Sequence, residues 1–248
     1  MATIANNIQE QHRRIAAACE RAGRAQHSVS LLVVSKTFPA AAVREAHAAG
    51  ERAFGENYVQ EGLDKIAELA DLRSQLAWHL IGPLQSNKTR PVAEAFDWVH
   101  SVDRLKTAQR LSEQRPDTLP PLNICLQINI SGEASKSGIA PADLPTLARA
   151  VAALPRLRLR GLMAVPEAAA DFEAQRQPHR ALARLLADLK QQDPPLFGGL
   201  DTLSMGMSAD LEAAVLEGAT MVRIGSAIFG ARSYPDKSPS SSNHSAPA

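Results

Sequence analysis

Along the chain, short apolar runs alternate with longer stretches in which apolar positions recur every three or four residues. The opening segment, residue 2 to about residue 23, carries the helical spacing. Runs with strand character follow at 31–35, 52–55, 78–81, 98–101, 123–129, 157–163, 202–204 and 221–224, most of them bounded by Gly, Pro, Ser or Asn. Between them lie helical patterns such as Leu182, Leu185, Leu186 and Leu189, spaced i, i+3, i+4, i+7, and residues 211–217, closed by Gly218 at the C′ position. Strands that alternate with helices predict parallel pairing, because a crossover helix is what returns the chain to start the next strand in the same direction. Eight such units in 248 residues predict a single (β/α)8 TIM barrel with an extra N-terminal helix. An open doubly wound sheet is the competing architecture. Its glycine-rich fingerprint is missing after the first strand, where Val34-Ser35-Lys36-Thr37-Phe38 contains no glycine.

Composition narrows the functional classes. Lys plus Arg is 27 against 26 Asp plus Glu, so the basic footprint of a nucleic-acid binder is absent. No apolar run approaches the ~20 residues of a membrane span, and no basic segment followed by an apolar one marks a secretory signal, so a cytoplasmic protein is expected. Cys19 and Cys125 are too few for a disulfide framework or a cysteine zinc site. Residues 238–248 hold five Ser and two Pro, which predicts a disordered tail over 235–248 behind a barrel domain of 1–234. Nothing in the sequence demands more than a monomer.

In a barrel the chemistry gathers at the carboxyl ends of the strands. Lys36 follows an apolar run there, and burial of its stem would favour the neutral, nucleophilic amine, whereas the plainer reading is a solvated lysine. Strands seven and eight both run into small residues, Ser204-Met205-Gly206-Met207-Ser208 and Gly225-Ser226, that let backbone approach a ligand. Ser208 reads either as a helix N-cap or as a phosphate ligand, since barrels often bind phosphate after strands seven and eight. Arg223 interrupts an apolar strand and must meet an acceptor, either a carboxylate or a ligand heteroatom. Asn57, with Gln60 three positions on, suits an N-cap. His79 reads as a satisfied core residue in the absence of a second His at metal-ligand spacing, and Lys136 as a loop lysine within reach of the mouth.

Five motifs combine these residues: Val33-Val34-Ser35-Lys36-Thr37, Phe54-Gly55-Glu56-Asn57-Tyr58-Val59-Gln60-Glu61, Trp78-His79-Leu80-Ile81-Gly82-Pro83-Leu84-Gln85-Ser86-Asn87-Lys88, Ser204-Met205-Gly206-Met207-Ser208 and Val222-Arg223-Ile224-Gly225-Ser226-Ala227-Ile228-Phe229-Gly230. Taken in this order, the set resembles the pyridoxal phosphate homeostasis protein family (YggS/PROSC-type). The resemblance implies a barrel like the N-terminal domain of alanine racemase, with pyridoxal 5′-phosphate held as a Schiff base on Lys36. It further implies that Ser208 and the backbone of Gly225 and Ser226 hold the phosphate and that Arg223 faces the pyridine nitrogen. Asn57, His79, Ser204 and Met205 complete the expected cofactor-binding set, with no catalytic residue and no metal ligand. Phe38 stands where some relatives carry a second lysine.

An arginine at the pyridine nitrogen disfavours its protonation and weakens the ring as an electron sink. The stretch after strand eight is also too short for the second domain that supplies a racemase with its opposite-face acid. The expected function is therefore a non-catalytic pyridoxal phosphate carrier in vitamin B6 and amino-acid homeostasis, with amino acids and pyridoxal-dependent apoenzymes as further partners. The alternatives are a single-domain racemase using Tyr58 or Lys136 as the other base, and a Schiff-base aldolase using Lys36 on a bare substrate.

Overall fold

The computed structural model describes residues 3–132 and 137–230, so Lys136 and the 235–248 segment lie outside the described residues. Eight strands, β1 (Ser30–Val34), β2 (Ala53–Glu56), β3 (Ala77–Leu80), β4 (Trp98–Val102), β5 (Leu122–Gln127), β6 (Leu157–Met163), β7 (Thr202–Ser204) and β8 (Met221–Ile224), pair in parallel in chain order and close into a barrel. The closure is a four-residue register between β1 and β8, from Ser30 opposite Met221 to Val33 opposite Ile224. The last three strands have the bounds the sequence predicts, and the others shift by one or two residues. Around the barrel lie α1 (Ile4–Arg21), α2 (Ala40–Ala48), α3 (Val59–Glu68), α4 (Thr89–Ala95), α5 (Leu105–Gln114), α6 (Leu144–Ala152), α7 (Phe172–Gln192), α8 (Pro194–Phe197), α9 (Leu211–Leu216) and α10 (Ser226–Phe229).

Helix α1 is the extra N-terminal helix. Thr3 caps it by accepting from the Asn6 N–H at 3.2 Å, and Ile8, Gln11, Ile15, Ala18 and Cys19 form its buried stripe. That stripe packs on α2, α9 and α10, across the seam where β1 meets β8. Polar contacts fix its position. The Asn7 amide donates to the Ile228 carbonyl at 2.8 Å, and the Arg14 guanidinium grips Glu212 at 2.9 and 3.0 Å while donating to the Ser208 carbonyl at 3.0 Å.

Outside the barrel wall the core is aliphatic and aromatic, with Phe54, Trp78 and Phe96 fully buried beneath the helices. The lumen is different. His79 stacks on Trp98 at 5.1 Å, and His79 Nδ1 lies 2.9 Å from His100 Nε2. His100 Nδ1 meets the Ser204 hydroxyl at 2.8 Å, and the Arg223 guanidinium donates to the same hydroxyl at 2.9 Å. β4 and β7 are not neighbours in the sheet, so the contact from His100 to Ser204 can run only through the barrel interior. A polar column thus leads up the lumen to the mouth.

Candidate functional site

Strand alternation builds the mouth from β1 outward. Ser35 turns toward α3, where its hydroxyl donates to Glu56 at 2.5 Å, and the next position, Lys36, turns into the mouth. Lys36 is half-buried, which favours the buried-stem reading over the fully solvated one. It lines a cavity of about 310 Å³ together with Asn57 after β2, Ile81 after β3 and Val165 after β6. Ser208 after β7, with Arg223, Gly225 and Ser226 of β8 and the turn after it, complete the lining on the side where β8 closes on β1.

The turn after β7 is held from behind. Gly206 has φ +90°, a left-handed conformation that glycine adopts without strain. Asp210 accepts from the Met207 N–H at 2.6 Å and pairs with His179 of α7 at 2.9 Å. Burial alone would raise the Asp210 carboxyl, but the His179 and Met207 hydrogen bonds outweigh it and leave it below the usual carboxylate value. Asp210, not Ser208, is the N-cap residue of α9, so the N-cap reading of Ser208 is corrected, and Ser208 is left beside the cavity. Asn57 is likewise not a cap. Tyr58 occupies the N-cap of α3 and makes no side-chain cap bond, while the Gln60 amide donates to Asp64 at 2.9 Å.

Arg223 is 5% exposed and meets carbonyls and a hydroxyl in place of the carboxylate that one sequence reading expects. Its Nη1 donates to the Ser204 carbonyl at 2.6 Å and to the Ser204 hydroxyl, and its Nη2 donates to the Ala164 carbonyl at 2.9 Å. Burial lowers its pKa to about 10, against the opposing charge of Asp210, so the group stays cationic at neutral pH. An arginine can only donate, so Ser204 Oγ accepts from it, and the serine hydrogen is available to His100. Burial pushes His79 down to about 3, and burial with the charges of His79 and Arg223 pushes His100 down as well. Both imidazoles are therefore neutral beneath a fixed cation.

Of the expected residues, the cavity brings together Lys36, Asn57, Ser208, Arg223, Gly225 and Ser226. His79, Ser204 and Met205 are buried and do not line it, and the first two connect to it through Arg223. Sequence reasoning passed over His100, although it carries the same signal as Arg223, a titratable group inside an apolar strand. Phe38, between β1 and α2, stacks on Phe229 of α10 at 4.8 Å across the β1–β8 seam.

Chemically, the cavity offers an amine, a fixed guanidinium and two hydroxyls. Its backbone at Gly225 approaches so closely that a Cβ there would lie 2.9 Å from the Val34 carbonyl. That set suits a small, flat, anionic carbonyl compound, with the amine for its carbonyl carbon and the hydroxyls and backbone N–H groups for its anion. Among the described lining residues the ionisable side chains are Lys36 and Arg223.

The family model for the alanine racemase N-terminal domain matches residues 5–233. The chain is 67% identical over 234 residues to the pyridoxal phosphate homeostasis protein of Pseudomonas aeruginosa, covering 94% of this chain and 98% of the relative. It is 56% identical to that of Escherichia coli strain K12 over 238 residues, 96% of this chain and 100% of the relative. Among solved structures, PipY of Synechococcus elongatus PCC7942 with PLP bound superposes with a TM-score of 0.80 at 40% identity, over 92% of this chain and 100% of that one.

Proposed function

Because the chain belongs to the alanine racemase N-terminal domain family and, within it, to the pyridoxal phosphate homeostasis proteins, we propose that its barrel mouth holds pyridoxal 5′-phosphate as a Schiff base on Lys36. The observation that carries this reading is the cavity itself, in which one lysine, one buried arginine and a cradle of small residues face one another. Bound there, the cofactor would supply an aldehyde carbon for an amine and an aromatic ring to withdraw electrons from it.

Lys36 holds the aldehyde end, and Ser208, Ser226 and the backbone of Gly225 hold the phosphate end. Arg223 takes the ring nitrogen as a donor. Because its guanidinium stays cationic, it keeps a proton off that nitrogen and weakens the ring for carbanion chemistry. Two-base racemisation also needs a second acid-base group against the reacting carbon, and the described lining residues add none beyond Lys36 and Arg223. Of the two bases that the racemase alternative would use, Tyr58 is 59% exposed and lines the adjacent groove instead, and Lys136 lies outside the described residues. The names of the relatives support reading the role as a cofactor carrier in vitamin B6 and amino-acid homeostasis. Val165 and Met207 stand exposed at the rim, so free amino acids can reach Lys36 and exchange with it.

Reduction of the loaded protein with borohydride and peptide mapping tests the assignment. The label is expected on Lys36, and Lys36→Ala is expected to purify without the reducible chromophore. Label on Lys88 or Lys136 with Lys36 unmodified would overturn it. In deuterated water the same loaded sample is expected to show no α-proton exchange of L-amino acids at enzymatic rates. Rapid exchange with racemised product would establish the enzyme instead.

A further inference from the structure

Behind Lys36, on the helix side of the barrel wall, lies a buried charged cluster that the cavity does not contain. Lys65 of α3 is 5% exposed and spends its three donors on the Ser35 carbonyl at 2.7 Å, Glu56 at 2.8 Å and Glu61 at 2.7 Å. Glu56, fully buried at the end of β2, also accepts the Ser35 hydroxyl. Glu61, in the first turn of α3, also accepts the Thr37 N–H at 2.5 Å. Both chain neighbours of Lys36 are therefore tied to one ammonium and its two carboxylates, Ser35 through its carbonyl and hydroxyl and Thr37 through its amide.

The backbone shows why ties on both sides are needed. Thr37 has φ +68°, a left-handed conformation that a β-branched residue avoids and holds only where its surroundings enforce it. This bend takes the chain off β1 immediately after Lys36. Without an acceptor for the Thr37 amide, the chain could relax into an extended path and swing the lysine off the mouth. The cluster is costly in its own right, since it sets a buried and a partly buried carboxylate against one ammonium and leaves Glu56 Oε2 with no hydrogen-bond partner among the described residues. Burial raises the Glu56 carboxyl despite the nearby Lys65 charge. A well-packed apolar contact between β2 and α3 would serve stability as well.

We propose that Glu61, Lys65 and Glu56 are positioning residues that aim the Lys36 amine at the aldehyde carbon of the ligand. The proposal rests on the pyridoxal phosphate reading above. The step served is a condensation. The neutral amine adds to the carbonyl carbon, a C=N bond replaces the C=O bond, and the oxygen leaves as water with no change in oxidation state. A cluster that aims the amine affects this step and leaves phosphate and ring binding alone, whereas a cluster that merely supports the fold affects all three.

Two probes separate these roles: pyridoxal 5′-phosphate, and pyridoxine 5′-phosphate, which carries an alcohol where the other has its aldehyde. Glu61 is the residue to vary, because its side chain is 26% exposed and its loss leaves no sealed void. Glu61→Ala is expected to weaken pyridoxal phosphate binding roughly tenfold, as for a lost charge-assisted hydrogen bond, and to leave pyridoxine phosphate binding unchanged. Glu61→Gln keeps an acceptor oxygen for the Thr37 amide and is expected to restore most of the affinity. Lys65→Met is expected to repeat the selective loss. If Glu61→Ala weakens both ligands equally, or neither, the positioning role is overturned while the cofactor reading stands. If the wild type itself does not prefer the aldehyde over the alcohol, the cofactor reading falls and the positioning role with it.

Discussion

Ser208 faces two ways. Its side chain borders the cavity, and its carbonyl is taken by Arg14 from the N-terminal helix. On the proposed placement of the phosphate, removing the hydroxyl takes one donor from it, while the turn keeps the Asp210 bond, the Gly206 bend and the Arg14 contact to the Ser208 carbonyl. Ser208→Ala should therefore weaken pyridoxal phosphate binding roughly tenfold in a titration, with unfolding unchanged. Ser226→Ala should do less, since its backbone N–H remains. Equal affinities for wild type and Ser208→Ala would move the phosphate elsewhere in the cavity. The sequence made Lys36 and Arg223 visible because each breaks an apolar run at a strand end, and Ser208 because it closes the small-residue run after β7. It did not reveal who partners whom. Arg223 needed an acceptor by general rule, yet that its acceptors are the Ser204 and Ala164 carbonyls depends on strands brought together by barrel closure. Asn57 and Ser208 looked like caps because cap residues and ligand-facing residues share the same chemistry, and the helix start that separates the two readings is a matter of one or two positions.

At the scale of elements, the eight strands were legible because both their faces are covered, which leaves continuous apolar runs between polar, glycine-bearing breaks. Helix α1 was legible as a helix but not as a brace. Its attachment to the β7–α9 turn joins residues nearly two hundred positions apart, Arg14 with Ser208 and Glu212, and no local pattern announces such a pair. The Glu61 to Lys65 spacing reads as an ordinary surface i,i+4 pair, and only the packing of α3 on β2 turns it into a buried cluster with Glu56. The brace makes a prediction. Arg14→Ala should loosen the turn that carries Ser208 and reduce cofactor affinity several-fold, although Arg14 does not line the cavity. Hydrogen exchange should show the Met207 amide opening faster in the variant. Unchanged exchange and affinity would mean that Asp210 holds the turn alone.

For the whole molecule, the polar column in the lumen sets the response to acid. His79 and His100 stay neutral in the fold because burial pushes both below their ordinary value, whereas the unfolded chain protonates them near pH 6.5. Below that pH the unfolded state binds more protons than the native one. The His79 contribution to stability therefore falls as pH drops from about 6.5 toward about 3, by about 1.4 kcal/mol per pH unit, and His100 acts in the same direction. Urea midpoints should fall between pH 7 and pH 5, and His79→Gln should flatten that slope. A wild-type midpoint independent of pH over this range would place charged imidazoles in the barrel. No helix among the described residues is long and apolar enough to cross a membrane.

The β1–β8 seam also has a consequence for biosynthesis. Lys36 leaves the ribosome early, while Arg223, Gly225 and Ser226 leave near the end and lie against it only once the ring is shut. A nascent chain lacking β8 has half a site, so the ligand cannot serve as a template for the growing polypeptide. It can only reward the finished one, adding its binding free energy to the closed ring over every open form. On the proposed reading, where pyridoxal phosphate is scarce the newly made barrel would lose that added stability, which would tie the persistence of the protein to the abundance of its ligand.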